Sequence, residues 1–146
     1  NMKNILLILL ITISFIGCGQ NGIQKEYYDN GNLRSERNYK NGNLNGISKL
    51  YHLDGYLLSK KNYKNGELHD EGWNYYQNGK VYIKSNYKNG KDDGVWKFYY
   101  PNGEIKRKWI FKDGKLLGKQ CWDKDGVGYH LTPEDIEQGI TCNSFL

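Results

Sequence analysis

The chain has 146 residues, a hydrophobic share of 38% and a formal charge of +5, with eighteen Gly, thirteen Tyr and no Ala. A chain without the best helix former, rich in Gly, Tyr and Asn, does not build a helical bundle, and its small aliphatic inventory argues against a layered α/β domain. Length allows one domain, so the expectation is a single all-β body packed with aromatic rings.

At the N-terminus, Lys3 precedes an apolar run from Ile5 to Ile16, relieved only by Thr12 and Ser14. At about 1.5 Å per residue the run spans roughly 18 Å as a helix, short of a bilayer core of about 30 Å. A positive start, a short apolar stretch and then a small residue describe a secretory signal peptide over residues 1–17. A buried core helix is the alternative. The stretch Phe15-Ile16-Gly17-Cys18 resembles a bacterial lipobox. That resemblance implies diacylglycerol on the Cys18 thiol, residues 18–21 as lipid anchor and short linker, and a lipoprotein of the bacterial envelope facing outside the cytoplasm. Each buried acyl CH₂ contributes about 0.8 kcal/mol, so a multiply acylated cysteine holds a protein on a membrane without a spanning helix.

With Cys18 acylated, Cys121 and Cys142 form an even pair in a disulfide-permissive compartment. A bridge would staple the C-terminal tail to the last repeat. Two free thiols are the alternative, because sequence separation does not show whether the Cα atoms approach within about 7 Å.

The body, residues 22–126, is repetitive. Gly31, Gly55, Gly79 and Gly103 lie 24 apart, and Gly42, Gly66, Gly90 and Gly114 keep the same step. Twelve of the eighteen glycines follow Asn or Asp, the strongest short-range hairpin signal because both residues of such a turn tolerate positive φ. At Tyr100-Pro101-Asn102-Gly103 the proline suits the second position of a type I turn, with Gly103 left-handed behind it. Between turns, Leu33, Leu57, Val81 and Ile105 fall six residues before Tyr39, Tyr63, Tyr87 and Phe111, an even offset that puts them on one face of a strand. Tyr27, Tyr51, Tyr75 and Tyr99 form a second ladder, with Ile23, Ile47 and Val95 four residues earlier, and its rings are expected in the core. The fold class that follows is all-β: an elongated antiparallel meander of stacked hairpins with a 24-residue period, advancing roughly 10 Å per repeat.

Segments such as Gly94-Val95-Trp96-Lys97-Phe98-Tyr99-Tyr100-Pro101-Asn102-Gly103 resemble MORN repeats, most closely the bacterial variant found in YwqK-like proteins that are often labelled antitoxins. The resemblance implies β-hairpin stacks and a role in binding without catalysis. One departure is visible: the glycine expected at position 70 is Asp70, with Gly72 two residues later, so the register of Trp73 changes and a bulge or longer loop is expected there.

After Gly126 the pattern lapses into a cap or tail, residues 127–146. Thr132-Pro133-Glu134-Asp135 reads as an N-cap, a first-turn proline and acidic residues at the positive helix end, predicting a short helix from Pro133 to Gln138 that caps the sheet.

No catalytic constellation stands out. His69-Asp70-Glu71 offers metal or acid–base chemistry in principle, but three consecutive residues do not converge easily on one ion. His130 near Glu134, with Cys121 or Cys142, lacks an orienting partner or oxyanion motif. Neither a metal nor a cofactor is expected. Lys40, Lys64, Lys88 and Lys112 each follow the terminal aromatic of a strand and are expected as a row along one edge. That row either meets an acidic partner or discourages edge-to-edge aggregation. Trp73, Trp96, Tyr76 and Tyr100 are candidate ligand-binding rings, against the alternative that they are core. The reading is a non-enzymatic, membrane-anchored protein that binds another protein; the resemblance to YwqK-like proteins implies an antitoxin or immunity role with a toxin as partner. Its alternative is a surface module for cell-wall glycan or an anionic polymer. Nucleic acid is not expected as a partner, since an exported protein has little access to it.

Overall fold

The computed structural model describes residues 20–122 and 127–142. The signal segment and Cys18 lie outside the described residues. The described chain forms one open sheet whose hydrogen-bonded path holds ten strands: β1 (Gly22–Tyr27), β2 (Leu33–Lys40), β4 (Gly46–Tyr51), β5 (Leu57–Lys64), β6 (Glu67–Tyr75), β7 (Val81–Lys88), β9 (Gly94–Tyr99), β10 (Ile105–Lys112), β11 (Lys115–Trp122) and β12 (Gly128–Leu131). Two short strands, β3 (Asn43–Leu44) and β8 (Lys91–Asp92), pair with β2 and β7 beside this path. Every pairing is antiparallel, so the sheet is the expected meander.

The two glycine sets make two kinds of turn. At Asn41-Gly42, Asn65-Gly66, Asn89-Gly90 and Asp113-Gly114 both residues have positive φ, the backbone of a type I′ turn, which matches the twist of the flanking strands. Each of these turns is also tied to the repeat before it. The amide of Gly66 donates to Leu44 O, Gly90 to Leu68 O and Gly114 to Asp92 O, all at 2.8–2.9 Å. In the other set only the glycine is left-handed, and its amide closes on Tyr28, His52, Tyr76 or Tyr100 four-residue turns. The paired strands shift register beside these turns, as between Glu26 and Tyr27 or Leu50 and Tyr51, so the extra residue is absorbed as a bulge.

Asp70 adopts φ 60°, beside φ 94° at Gly46 and 100° at Gly94, its equivalents one repeat either side. The expected irregularity is therefore a bulge inside a continuous strand and not a loop: β6 runs unbroken, and the register shifts between Lys61↔Gly72 and Tyr63↔Leu68.

The C-terminal segment differs from the expected tail. It first adds strand β12, which covers the open edge of β11, and only then turns into helix α1 (Pro133–Glu137) packed against β11 and β12. Edge strands with unpaired amides favour such pairing. The helix start follows the sequence cue. Asp135 N donates to Thr132 Oγ1 at 3.3 Å and Thr132 N donates to Asp135 Oδ2 at 2.7 Å, a reciprocal capping box. Cys121 and Cys142 are joined by a disulfide, Cα–Cα 5.5 Å, which ties the segment after the helix back to β11. The buried hydrophobic side chains among the described residues, Phe98, Cys121 and Leu131, lie toward this end.

Candidate functional site

Strand alternation divides the sheet into two faces, and cross-strand pairing shows what each carries. On the first face one row runs Glu26, Ser35, Leu50, Ser59, Asn74, Ile83, Phe98, Arg107, Cys121, Tyr129. Its C-terminal half is aromatic. Trp96 meets Tyr87 edge-on at 5.5 Å and Phe111 at 5.3 Å, while Phe98 and Trp109 lie 4.6 Å apart. The Arg107 guanidinium stacks over Phe98 and Trp109 at 4.7 and 5.2 Å, covering the cluster with a cation.

The N-terminal half of this face is polar and less filled. Ser48 stands where the repeat two periods later has Trp96, and Ser59 where it has Arg107. Small hydroxyls in place of large side chains leave a hollow of about 210 Å³ lined by Ser35, Arg37, Ser48, Ser59, Lys61 and Tyr63. Ser35 is nearly fully buried and donates to Glu26 Oε2 at 3.0 Å, while Arg37 pairs with Glu26 Oε1 at 2.9 Å.

The second face carries a different row. From β1 to β12 its directly opposed residues are Lys25, Glu36, Lys49, Lys60, Trp73, Lys84, Lys97, Lys108, Gln120 and His130. Lys49 faces Lys60, and Lys84, Lys97 and Lys108 stand consecutively opposite one another. Glu36 sits between Lys25 and Lys49 at 3.8 and 3.0 Å, and Glu71 takes Lys84. The hydrogen bond from Lys49 holds the Glu36 carboxyl below its ordinary range, against the opposing pull of desolvation and with the charges of Lys49 and Lys25 adding to it. Flanking this row are exposed apolar side chains: Ile23 at 59%, Tyr27 at 59%, Ile47 at 44% and Val95 at 37%. Tyr27 was expected in the core with Tyr51, Tyr75 and Tyr99. It is uncovered because β1 is the edge strand among the described residues and no described element lies over this face beside it.

The expected site residues do not converge. Trp73 and Trp96 lie on opposite faces, since Gly72, the residue before Trp73, holds the place that Trp96 takes 24 residues later. Trp73 instead joins the lysine row, with Lys60 Nζ 4.8 Å and Lys84 Nζ 5.9 Å from its ring centroid. Tyr76 donates its hydroxyl to Tyr99 O at 2.8 Å and is a tie between repeats. Tyr100 is 37% exposed, with Lys106 Nζ 5.2 Å from its ring. Lys40, Lys64, Lys88 and Lys112 are exposed and end β2, β5, β7 and β10; Lys112 pairs with Asp93 at 3.0 Å. Within β6, His69 Nε2 and Asp70 Oδ1 lie 3.7 Å apart and Asp70 accepts from Asn62 Nδ2 at 3.2 Å, while Glu71 turns away to Lys84. Among the described residues no three His, Cys, Asp or Glu side chains gather as a metal site, and no helix is long and apolar enough to cross a membrane. The mid-strand lysines were the residues that sequence reading missed. Their signal was present, because Lys25, Lys49 and Lys97 fall on one 24-residue beat and Lys60, Lys84 and Lys108 on another. Only the strand register shows that the two beats form one row.

Compared with models of known families, the chain matches the MORN repeat variant at residues 20–41, 44–65, 74–89 and 92–113, together more than half its length. The break between the second and third matched segments contains Asp70 and Gly72, the residues of the bulge. No curated protein matches the chain.

Proposed function

The chain belongs to the MORN repeat variant family, and from that premise we propose that it works by binding another protein, without catalysis. MORN repeats are in general non-catalytic modules that engage proteins or membranes. The observation that carries the reading is the second face of the sheet, where Ile23, Tyr27, Ile47 and Val95 stay exposed among lysines. Apolar side chains grouped on one uncovered face gain about 25 cal/mol per Å² when a partner covers them. In the finer form of the proposal, Cys18 carries the lipid, the protein sits in the bacterial envelope, and the partner is a toxin that it neutralises.

The test is capture of partners by the tagged full chain from envelope extracts, with identification by mass spectrometry. A protein retained in stoichiometric amount through moderate salt supports the reading; recovery of wall fragments alone sinks it. For the anchor, Cys18→Ser should move the protein out of the membrane fraction, and continued retention there would count against lipidation.

A second reading, binding of cell-wall glycan, draws on the open hollow of about 420 Å³ lined by Tyr76, Gln77, Asn78 and Pro101, next to exposed Tyr100. It predicts sedimentation with purified wall material and loss of that binding in Tyr100→Ala.

A further inference from the structure

Antiparallel pairing brings directly opposite side chains to about 4.5–5.5 Å at Cβ, and like charges held that way destabilise the sheet. This protein does so repeatedly on one row. Lys49 opposes Lys60, Lys84 opposes Lys97, and Lys97 opposes Lys108. With Lys25, six lysines span β1 to β10, about 34 Å at roughly 4.8 Å per strand step. Three of them, Lys60, Lys97 and Lys108, pair with no carboxylate among the described residues. Two of those three instead rest on rings, Lys60 on Trp73 and Lys108 on Trp122 at 5.1 Å. All three residues are half-buried, which restricts their side chains.

The facing like charges cost the folded chain stability that the ring contacts offset only in part, whereas a partner with negative charges on the same line turns the repulsion into attraction. We infer that this row of lysines is the docking surface for an acidic stripe on a partner protein. The inference deepens the protein-binding proposal and rests on it. A protein is favoured over a bare polyanion by what borders the row. Ile23, Ile47 and Val95 precede Lys25, Lys49 and Lys97 by two residues on the same face and are exposed, as is Tyr27. A polymer of charges alone leaves those side chains in water, while a protein surface with carboxylates beside apolar residues covers both. The edge lysines Lys40, Lys64 and Lys88 carry the same charge at the strand ends, outside the row of directly opposed mid-strand lysines, which makes them the internal control.

The experiment uses the full chain and a fluorescent random copolymer of glutamate and tyrosine as the acidic, partly apolar probe. Polyglutamate, polyphosphate and phosphatidylglycerol vesicles serve as comparison ligands. Two triple variants, Lys60→Gln/Lys97→Gln/Lys108→Gln and Lys40→Gln/Lys64→Gln/Lys88→Gln, remove equal charge. The row variant should weaken copolymer binding by about tenfold or more and flatten its salt dependence, and the edge variant by less than about twofold. The row variant should melt close to the parent, because removing facing like charges offsets the loss of the lysine–tryptophan contacts. Equal loss in both variants would mean general charge attraction and overturn the inference. So would polyphosphate or vesicles binding as tightly as the copolymer through the same lysines. If the row variant still retains the protein captured from envelope extracts, the row is not the docking surface although the protein-binding reading stands. If the parent captures no protein, that reading fails whatever the copolymer does.

Discussion

The phenolic hydroxyl of Tyr76 donates to the backbone carbonyl of Tyr99 at 2.8 Å, and one repeat pair earlier Tyr28 does the same to Tyr51. Each bond joins residues 23 apart and stitches one turn to the end of the next hairpin. His52 takes the equivalent place in the intervening repeat, where it stacks on Tyr56 at 4.5 Å and so braces its own turn. A ring that looked available to a ligand is thus occupied in holding repeats together.

Tyr76→Phe should therefore lower stability by about 1 kcal/mol, the usual net value of such a bond, by leaving a carbonyl unpaired. A shift of the urea midpoint with no loss of partner capture is the expected pattern. A loss of binding at unchanged stability would return Tyr76 to the list of ligand contacts.

Removing the Cys121–Cys142 bridge releases a loop closed over a sequence separation of 21. Cys121→Ser/Cys142→Ser, or reduction, should cost about 2–4 kcal/mol of stability. The loss should appear first as local exchange of amides in β12 and α1, measured by hydrogen exchange, since these elements are tied to the sheet near that bridge.

Glu36 and Asp92 should give opposite pH responses. Glu36 has its pKa lowered, first by the hydrogen bond from Lys49. Its contribution is complete above the ordinary glutamate value near 4.3 and is lost as pH falls through the lowered value. Glu36→Gln should thus destabilise by about 0.5–1 kcal/mol at neutral pH, the gap closing in acid. Asp92 is raised, chiefly by burial and with Lys61 pulling the other way. Its ionised form costs stability above the raised value, and that cost disappears below about 3.9. Asp92→Asn should stabilise at neutral pH by up to about 1 kcal/mol and match the parent in acid. Thermal melts from neutral to acid pH decide both.

A Cβ added at Gly72 would meet Ser85 Oγ at 2.8 Å and Tyr87 Cε2 at 3.1 Å. Gly72→Ala should cost about 1–3 kcal/mol by overpacking, measured by chemical denaturation. The same change at Gly55, where nothing lies within 4 Å, acts through its φ of +90° alone. The pair separates crowding from backbone strain.

Much of the architecture was legible in the residues. Asn-Gly and Asp-Gly at a steady 24-residue step set the turns, because paired positive φ is a local property of those residues. Alternation then set the strands, and Thr132-Pro133-Glu134-Asp135 set the helix start, since a cap is made within four residues. The irregularity expected at Asp70 is a bulge, with the same register step that the neighbouring repeats make at Gly46 and Gly94. Strand β12 was not legible, because what makes Gly128–Leu131 a strand is the free edge of β11 and not its own pattern.

Composition and period by themselves determined a stack of aromatic-packed hairpins, for turns and alternation are short-range physics. Which side chains share a row was decided only by tertiary structure. Pairing register joins positions far apart in sequence, and a one-residue slip sends a side chain to the other face. Tertiary contact made Tyr76 a tie, and the register drew two separate beats of lysine into one continuous line.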